Sequence, residues 1–580
     1  MASQQQKNSV SIETLRKVAE TLGFRMRPQD EAGYLGIFQA TAKSVDFVEG
    51  LEDYIDPRLT PNLGNDHGVR KYTQPPASDN PLNAWSHRTY IKASDSANST
   101  GLLAGKAVAI KDNVPVAGIP TTIGTQPFHL TKDKPYPVPE IDAVLVTRVL
   151  EAGGVITGTS TCENYCVSAM SFTSATGPVE NPWLKGYTAG GSSSGSAALT
   201  AINVVKKWRE SRGLPVEDLG EGVDFATGGD QGGSIRIPAA YCGIYGLKPT
   251  HGLVPYTGIG SLTPILDHAG PMSSSVRDTA LLLSVLAGYD GFDPLATPGT
   301  PLRANTPQYH DLLDAAIASR VAGGTWTPTT AAKGLRIGVL KEAFTIPGIS
   351  KGVISAIEHA TSRYAALGAT VSEVSVPLHS VAPHIFTAAT YAYVPDSLLS
   401  AAASSTLSFP YPRSEPPPLP DQAWYETMTE ANPLVPGVLL TSAILRDRSR
   451  YPETVRNKAL RHIHQLRAAY DRALEDYDVL VMPALPTVGM PHAPADMGID
   501  DKAAFLLGNT LNTMPFNITG HPALAMPVGW GEVDDGQGDG KGKKLPVAMQ
   551  IVGKRWDEET IFLAAAAWEV GGWGLDEDGE

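Results

Sequence analysis

Short apolar runs recur from about residue 100 onward, each bounded by turn-forming residues. GKAVAIKDN, VITGT, LRIGVLKE, DVLVMPALP, PALAMPVGW and LPVAMQIVGK are continuous rather than alternating, the pattern of strands covered on both faces. Helical spacing lies between them, in DAVLVTRVLEAGG and around 455–476. There Val455, Leu460, Ile463, Leu466, Tyr470 and Leu474 share one face, which is expected to pack into a core. Strands alternating with helices predict an α/β fold around a largely buried sheet.

Upstream the texture differs. SIETLRKVAETLGF repeats Ile12, Leu15, Val18, Ala19 and Leu22 at helical spacing, with Ser11 as cap and Gly23 as stop. Residues 1–95 read as an N-terminal helical lead-in, and 96–580 as the main domain, with 340–475 largely helical. Several stretches read as loose. Residues 205–223 are charged and helical, then glycine-rich, and look inserted. An irregular connection is expected over about 292–334, a proline-rich surface loop over 411–422 and a flexible hairpin tip over 532–544.

Composition narrows the function classes. The 580 residues are 42% apolar and 18% charged, enough to bury a large core. A net charge of −14 disfavours non-specific binding to nucleic acid or anionic lipid, and neither partner is expected. Three cysteines, Cys162, Cys166 and Cys242, do not make a disulfide framework. The C-x3-C spacing of CENYC, with no histidine nearby, favours buried small residues over a metal site. The first residues lack the apolar core of a signal peptide, and no apolar run is long enough to span a bilayer, so a soluble, cytoplasmic protein is expected.

Three stretches carry candidate chemistry. In GGDQGGSIRIP, Gly232 and Gly233 precede Ser234, and a glycine turn can aim successive N–H groups into one concavity that holds an oxyanion. A serine at its end could attack a carbonyl; the plainer reading is a turn before a strand. A serine nucleophile needs a base. None of the 13 histidines lies in a Gly/Ser loop, though one could arrive from elsewhere in the fold. Lys111 ends the apolar run AVAIK, where a lysine is unusual; it is either a base or a strand-end side chain reaching solvent. TAGGSSSGSAAL leads straight into an apolar helical segment, unlike a linker. It contains G-x-S-x-G centred on Ser193, but NPWLKGYTA before it does not read as the strand a nucleophile elbow needs.

Lysine in AIKDN, then GGSSSGSAA, then GGDQGGSIRIPAAYCG resembles the amidase signature family. The likeness runs from about residue 80 to about 570 and includes TGPVENPW, GLKPTHGLVPYTG, LDHAGPM, NTMPFNITGHPALAMPVG and AMQIVGKRWDEETI. The GGDQGGS form is most similar to bacterial enantioselective amidases of nitrile metabolism. The resemblance implies a central mixed β-sheet with helices on both faces, and a Ser–cis-Ser–Lys triad. Lys111 would be the base, Ser192 the bridging serine after a cis peptide, and Ser234 the nucleophile. Gln231, Gly232, Gly233 and Ser234 would supply oxyanion-hole N–H groups. Cys166 would line the substrate pocket, and Asp230 and Arg236 would brace the loop as a charge pair. No metal or organic cofactor is implied; the partner is a small amide, with a homodimer possible. The 42 residues from Ser192 to Ser234 exceed the usual spacing, and the excess is the 205–223 segment, expected to form a longer helix and an external loop. Hydrolysis of amides to carboxylate and ammonia or amine through an acyl-enzyme is the expected activity. Carbamate or ester cleavage would use the same groups. The other readings are a non-catalytic scaffold and a subunit of a tRNA-dependent amidotransferase.

Overall fold

A computed structural model describes residues 10–61, 70–93, 100–132, 135–398, 417–494, 496–533, 542–570, 572 and 575. The chain divides into two compact units, residues 1–57 and 58–580, so the division falls upstream of residue 95. The first unit holds helices Ile12–Thr21 and Pro28–Glu49. Ser11 caps the first by accepting the Thr14 N–H. Arg16 joins the two helices through a bidentate pair with Glu31, at 2.8 and 2.7 Å.

The second unit is built on strands β1 (Tyr72–Thr73), β2 (Trp85–Ile91), β3 (Ala107–Lys111), β4 (Val155–Ser160), β5 (Glu180–Asn181), β6 (Leu184–Thr188), β7 (Phe225–Gly229), β8 (Tyr245–Lys248), β9 (Ala269–Ser273), β10 (Arg336–Leu340), β11 (Thr370–Val374), β12 (Val479–Pro483), β13 (Ala523–Glu532) and β14 (Lys544–Gly553). β5 and β6 form a separate hairpin. The other twelve make one mixed sheet in the order β1-β2-β4-β3-β7-β9-β8-β13-β14-β12-β10-β11. β4, β3 and β7 are parallel neighbours, so their carboxyl ends emerge at one edge. β10 is parallel to both β11 and β12, and the remaining pairs are antiparallel. Helices flank the sheet, and the fold is α/β.

All six apolar runs read as strands form strands. No such run marks the short strands β1, β5 and β6, nor β2, β7, β8, β9 and the edge strand β11. β7 and β9 contain glycines that let neighbouring chains approach: a Cβ at Gly228 would meet Ile235 at 2.7 Å, and one at Gly270 would meet the Leu247 carbonyl at 2.2 Å. Packing, not periodicity, defines such strands. The connection expected to be irregular over 292–334 contains the helix Tyr309–Ala322, whose Tyr309, His310 and Leu313 are buried. Helix Thr454–Asp476 buries Ile463, Leu466, Tyr470 and Leu474, but Val455 lies in its first turn and is 44% exposed. The proline-rich and hairpin-tip segments lie partly outside the described residues, at 411–416 and 534–541.

Helix Ser194–Ser211 packs across β3, β4 and β7 and continues into the 205–223 segment. Its far end is fixed by Trp208, whose ring meets Trp183 and Trp530 at 5.4 and 5.3 Å between centroids. Lys206 closes the following loop by donating to the Gly220 carbonyl at 2.7 Å. The near end is tighter. A Cβ at Gly195 would meet the Ala84 carbonyl at 2.3 Å and the Thr161 nitrogen at 2.6 Å, both backbone atoms that cannot swing aside. Gly195→Ala is therefore expected to destabilise the fold by about 2 kcal/mol or more, read as a lowered midpoint in urea unfolding.

Candidate active site

Lys111 is the last residue of β3, and residues 230–234 follow β7, so both leave the sheet side by side at the shared carboxyl edge. The serine loop 191–193 enters the same space at the N-terminus of helix Ser194–Ser211. Lys111 and Ser192 are fully buried, and Lys111 Nζ donates to Ser192 Oγ at 2.8 Å. The Gly191–Ser192 peptide is cis. The Ser193 N–H donates to the Ser234 carbonyl at 3.2 Å, tying the two loops together. Ser193 itself is buried, with its hydroxyl on the Gly229 carbonyl at 3.3 Å. LKGYT before this loop is strand β6, contrary to the sequence reading, yet Ser193 is not presented at an elbow.

Asp230 shapes the glycine loop. Its carboxylate accepts from Gly233 N–H at 2.8 Å, Ile235 N–H at 3.2 Å and Asn517 Nδ2 at 2.8 Å. Arg236 grips it with Nε and Nη2, both at 2.9 Å. The same guanidinium donates to Asn517 Oδ1, the Thr513 carbonyl and Gln550 Oε1 at 2.7–2.8 Å. Both charges are completely buried. Burial alone would raise the Asp230 pKa, but the charge and hydrogen bonds of Arg236 hold it down at about 2. Gly233 has φ +139°, and a Cβ there would meet Thr513 Oγ1 at 2.4 Å. Its N–H points at Asp230, which takes it out of the expected oxyanion set. The N–H groups of Gln231, Gly232 and Ser234 donate to no described residue. The Gln231 side chain donates to Tyr256 OH at 2.7 Å and reaches Asp267 at 3.5 Å.

Ser234 is partly exposed and opens into a cavity of about 100 Å³. Gln231, Gly232 and Cys166 share its wall, and Leu262, Leu266, Phe386, Tyr391, Leu434 and Met514 are among the largely apolar rest. None of the described lining residues is charged. Nothing in 205–223 reaches it among the described residues. The supports Thr513, Asn517, Tyr256 and Asp267 lie in the stretches NTMPFNITG, GLVPYTG and LDHAGPM, where nothing local distinguishes them from their neighbours. The apolar wall gave no sequence signal, because its residues converge only in the fold.

Asp112, next to Lys111, is also buried. It accepts from Ser86 Oγ at 2.7 Å, from the Thr122 N–H at 3.2 Å and from the Thr122 hydroxyl. With no cation against it among the described residues, burial pushes its pKa from 3.8 to about 7.

Two stability measurements separate these carboxylates. Asp230→Asn leaves Arg236 buried without its counter-charge, at an expected cost of about 3–5 kcal/mol in denaturant unfolding at neutral pH. Asp112 holds its proton longer in the folded than in the unfolded chain. Its contribution is therefore full at low pH and is lost as pH rises from 3.8 to about 7. The unfolding free energy of the wild type minus that of Asp112→Asn should fall across that window and be flat above it.

The Amidase family profile matches residues 80–207 and 220–562, and its gap lies within the 205–223 segment. The enantioselective amidase of Rhodococcus rhodochrous is 35% identical over 542 residues, 91% of this chain and 92% of that protein. A glutamyl-tRNA(Gln) amidotransferase subunit of Exiguobacterium sibiricum is 34% identical over 82% of this chain and 85% of that protein. Among solved structures, a bacterial aryl acylamidase of the amidase signature enzymes superposes with a TM-score of 0.60 over 86% of this chain and 90% of that one, at 22% identity. Native peptide amidase of Stenotrophomonas maltophilia gives 0.57 over 81% and 83%, at 24% identity. Family match and near-full-length likeness agree with the fold: this chain is an amidase and belongs to the amidase signature family.

Proposed function

We propose that this amidase hydrolyses small neutral amides with an apolar acyl group, through an acyl-enzyme on Ser234. The observation that carries the reading is the fully buried Lys111–Ser192 contact beside a loop whose Gln231, Gly232 and Ser234 line an apolar cavity and whose N–H groups at those three residues donate to no described residue. With the Lys111 amine neutral, the same 2.8 Å contact passes a proton from Ser192 to Lys111. Ser192 in turn takes the Ser234 proton as that oxygen attacks the amide carbon. The oxyanion is received by the N–H groups of Gln231, Gly232 and Ser234. The relay returns the proton to the leaving nitrogen, ammonia or an amine departs, and water cleaves the ester by the same route.

The cavity wall supports the choice of acyl group. A free amino acid amide such as glutamine brings an ammonium and a carboxylate, and burying either without a counter-charge is costly. No described lining residue supplies one. An aromatic or branched aliphatic acyl group gains from the apolar wall instead.

Ammonia release from aliphatic, aromatic and α-substituted amides, glutamine and one carbamate tests the proposal. Turnover is expected on the apolar amides and not on glutamine. Ser234→Ala should lower kcat on the order of 10⁴-fold or more, and Ser192→Ala should be comparably inactive. Turnover confined to the carbamate, or preference for glutamine, overturns the assigned substrate class. Full activity in Ser234→Ala overturns the nucleophile.

A further inference from the structure

Cys162 and Cys166 are not absorbed by the proposed reaction, yet they lie at its edge. Cys162 follows β4, whose carboxyl end lies beside that of β3. Two consecutive residues with positive φ, Tyr165 at 50° and Cys166 at 58°, fold the chain back. The fold brings the two sulfurs to 3.8 Å. Cys162 is fully buried, whereas Cys166 is partly exposed and lines the cavity with Ser234. The turn that carries them also holds the serine loop: the Glu163 N–H donates to the Ser192 carbonyl at 3.3 Å, and the Gly191 N–H donates to the Ala169 carbonyl at 2.9 Å.

We propose that Cys166 and Cys162 form a peroxide-reactive thiol pair whose oxidation to a disulfide reversibly switches this amidase off. The cavity, which Cys166 lines and Cys162 does not, is the route by which a small hydroperoxide reaches Cys166. Contact with the Cys162 thiol draws the Cys166 thiol below its ordinary range, and the same contact, with burial, pushes Cys162 up. The division of labour follows. The Cys166 thiolate attacks hydrogen peroxide; the O–O bond breaks, an S–O bond forms, and the departing hydroxide takes a proton and leaves as water. Cys166 is then a sulfenic acid. The Cys162 sulfur attacks it; the S–O bond breaks, the S–S bond forms, and the hydroxyl leaves as water with the Cys162 proton. Peroxide is reduced and the two thiols are oxidised, so no further co-reactant is needed.

The coupling to catalysis is mechanical. A disulfide requires the sulfurs to close to about 2 Å, which draws the turn inward. The turn cannot move without disturbing the two hydrogen bonds that fix Gly191 and Ser192. This part of the inference rests on Ser192 and Ser234 acting as proposed above.

The test treats full-length protein with hydrogen peroxide and follows three readouts. Mass spectrometry is expected to show loss of two hydrogens and a Cys162–Cys166 cross-link, with Cys242 unmodified. Fluorophosphonate labelling of Ser234 and ammonia release should fall together by roughly tenfold or more and return with dithiothreitol. Each is expressed as oxidised over reduced for the same protein, so a variant's basal activity does not enter. In Cys162→Ala the cross-link is absent and a dimedone adduct is expected on Cys166. An apolar amide in the cavity should slow the modification. Failure of the cross-link to form, or its formation with labelling and turnover unchanged, overturns the proposal. So does an equal, fully reversible loss in Cys162→Ala. Reduced protein that neither labels nor turns over amides would instead count against the reading of Ser234, a result separable from the mass readout.

Discussion

The path of the loop that carries Ser234 traces back to one carboxylate that water does not reach. Asp230 sits at the end of β7, and Arg236, six residues on, neutralises it. Together they consume backbone and side-chain donors from the glycine loop and Asn517, and an acceptor from Gln550 of β14. Such a pair is of little net worth in stability when compared with apolar packing. Its value here is directional. A carboxylate accepting from both Gly233 and Ile235 dictates the path of the chain between them, and Ser234 lies on that path.

The parallel trio β4-β3-β7 supplies the rest of the geometry. Three carboxyl ends at one sheet edge deliver the CENYC turn, Lys111 and the glycine loop to neighbouring places, an arrangement in which open α/β sheets commonly bind ligands. The serine loop is brought in from the other direction by a helix lying over the same three strands. Relatives of this chain include an enantioselective amidase and one component of an amidotransferase, so membership of the family leaves the acyl side open. What differs among such proteins is expected to reside in the wall contributed by distant segments, represented here by Phe386 and Leu434.

That distinction also explains what the sequence disclosed. Strand runs such as AVAIK and VLVMP are legible because burial on both faces forces continuous apolar character. The Gly/Ser loops are legible because their chemistry is local. AGPMS and YGLK, both central strands, escape notice because small residues there serve close backbone approach rather than any period. QYHDLLDAAIASRVA was hidden by the proline- and threonine-rich stretches on either side. The engagement of the Gly233 N–H by Asp230 could not be read at all, since it depends on which way one peptide faces.

The helix that begins at the serine loop and ends among Trp183, Trp208 and Trp530 carries one more implication. Distance along the chain between Ser192 and Ser234 does not set their distance in space, because the end of β7, the helix over the sheet and the Ser193–Ser234 backbone hydrogen bond do. Lengthening a connection costs little conformational entropy, and here the added length is anchored by the Trp208 indole against Trp183 and Trp530. This stretch is accordingly one that can lengthen or shorten without moving either serine. New sequence can accumulate there, acquire a surface and be discarded again, while the chemistry at the other end of the helix is left undisturbed.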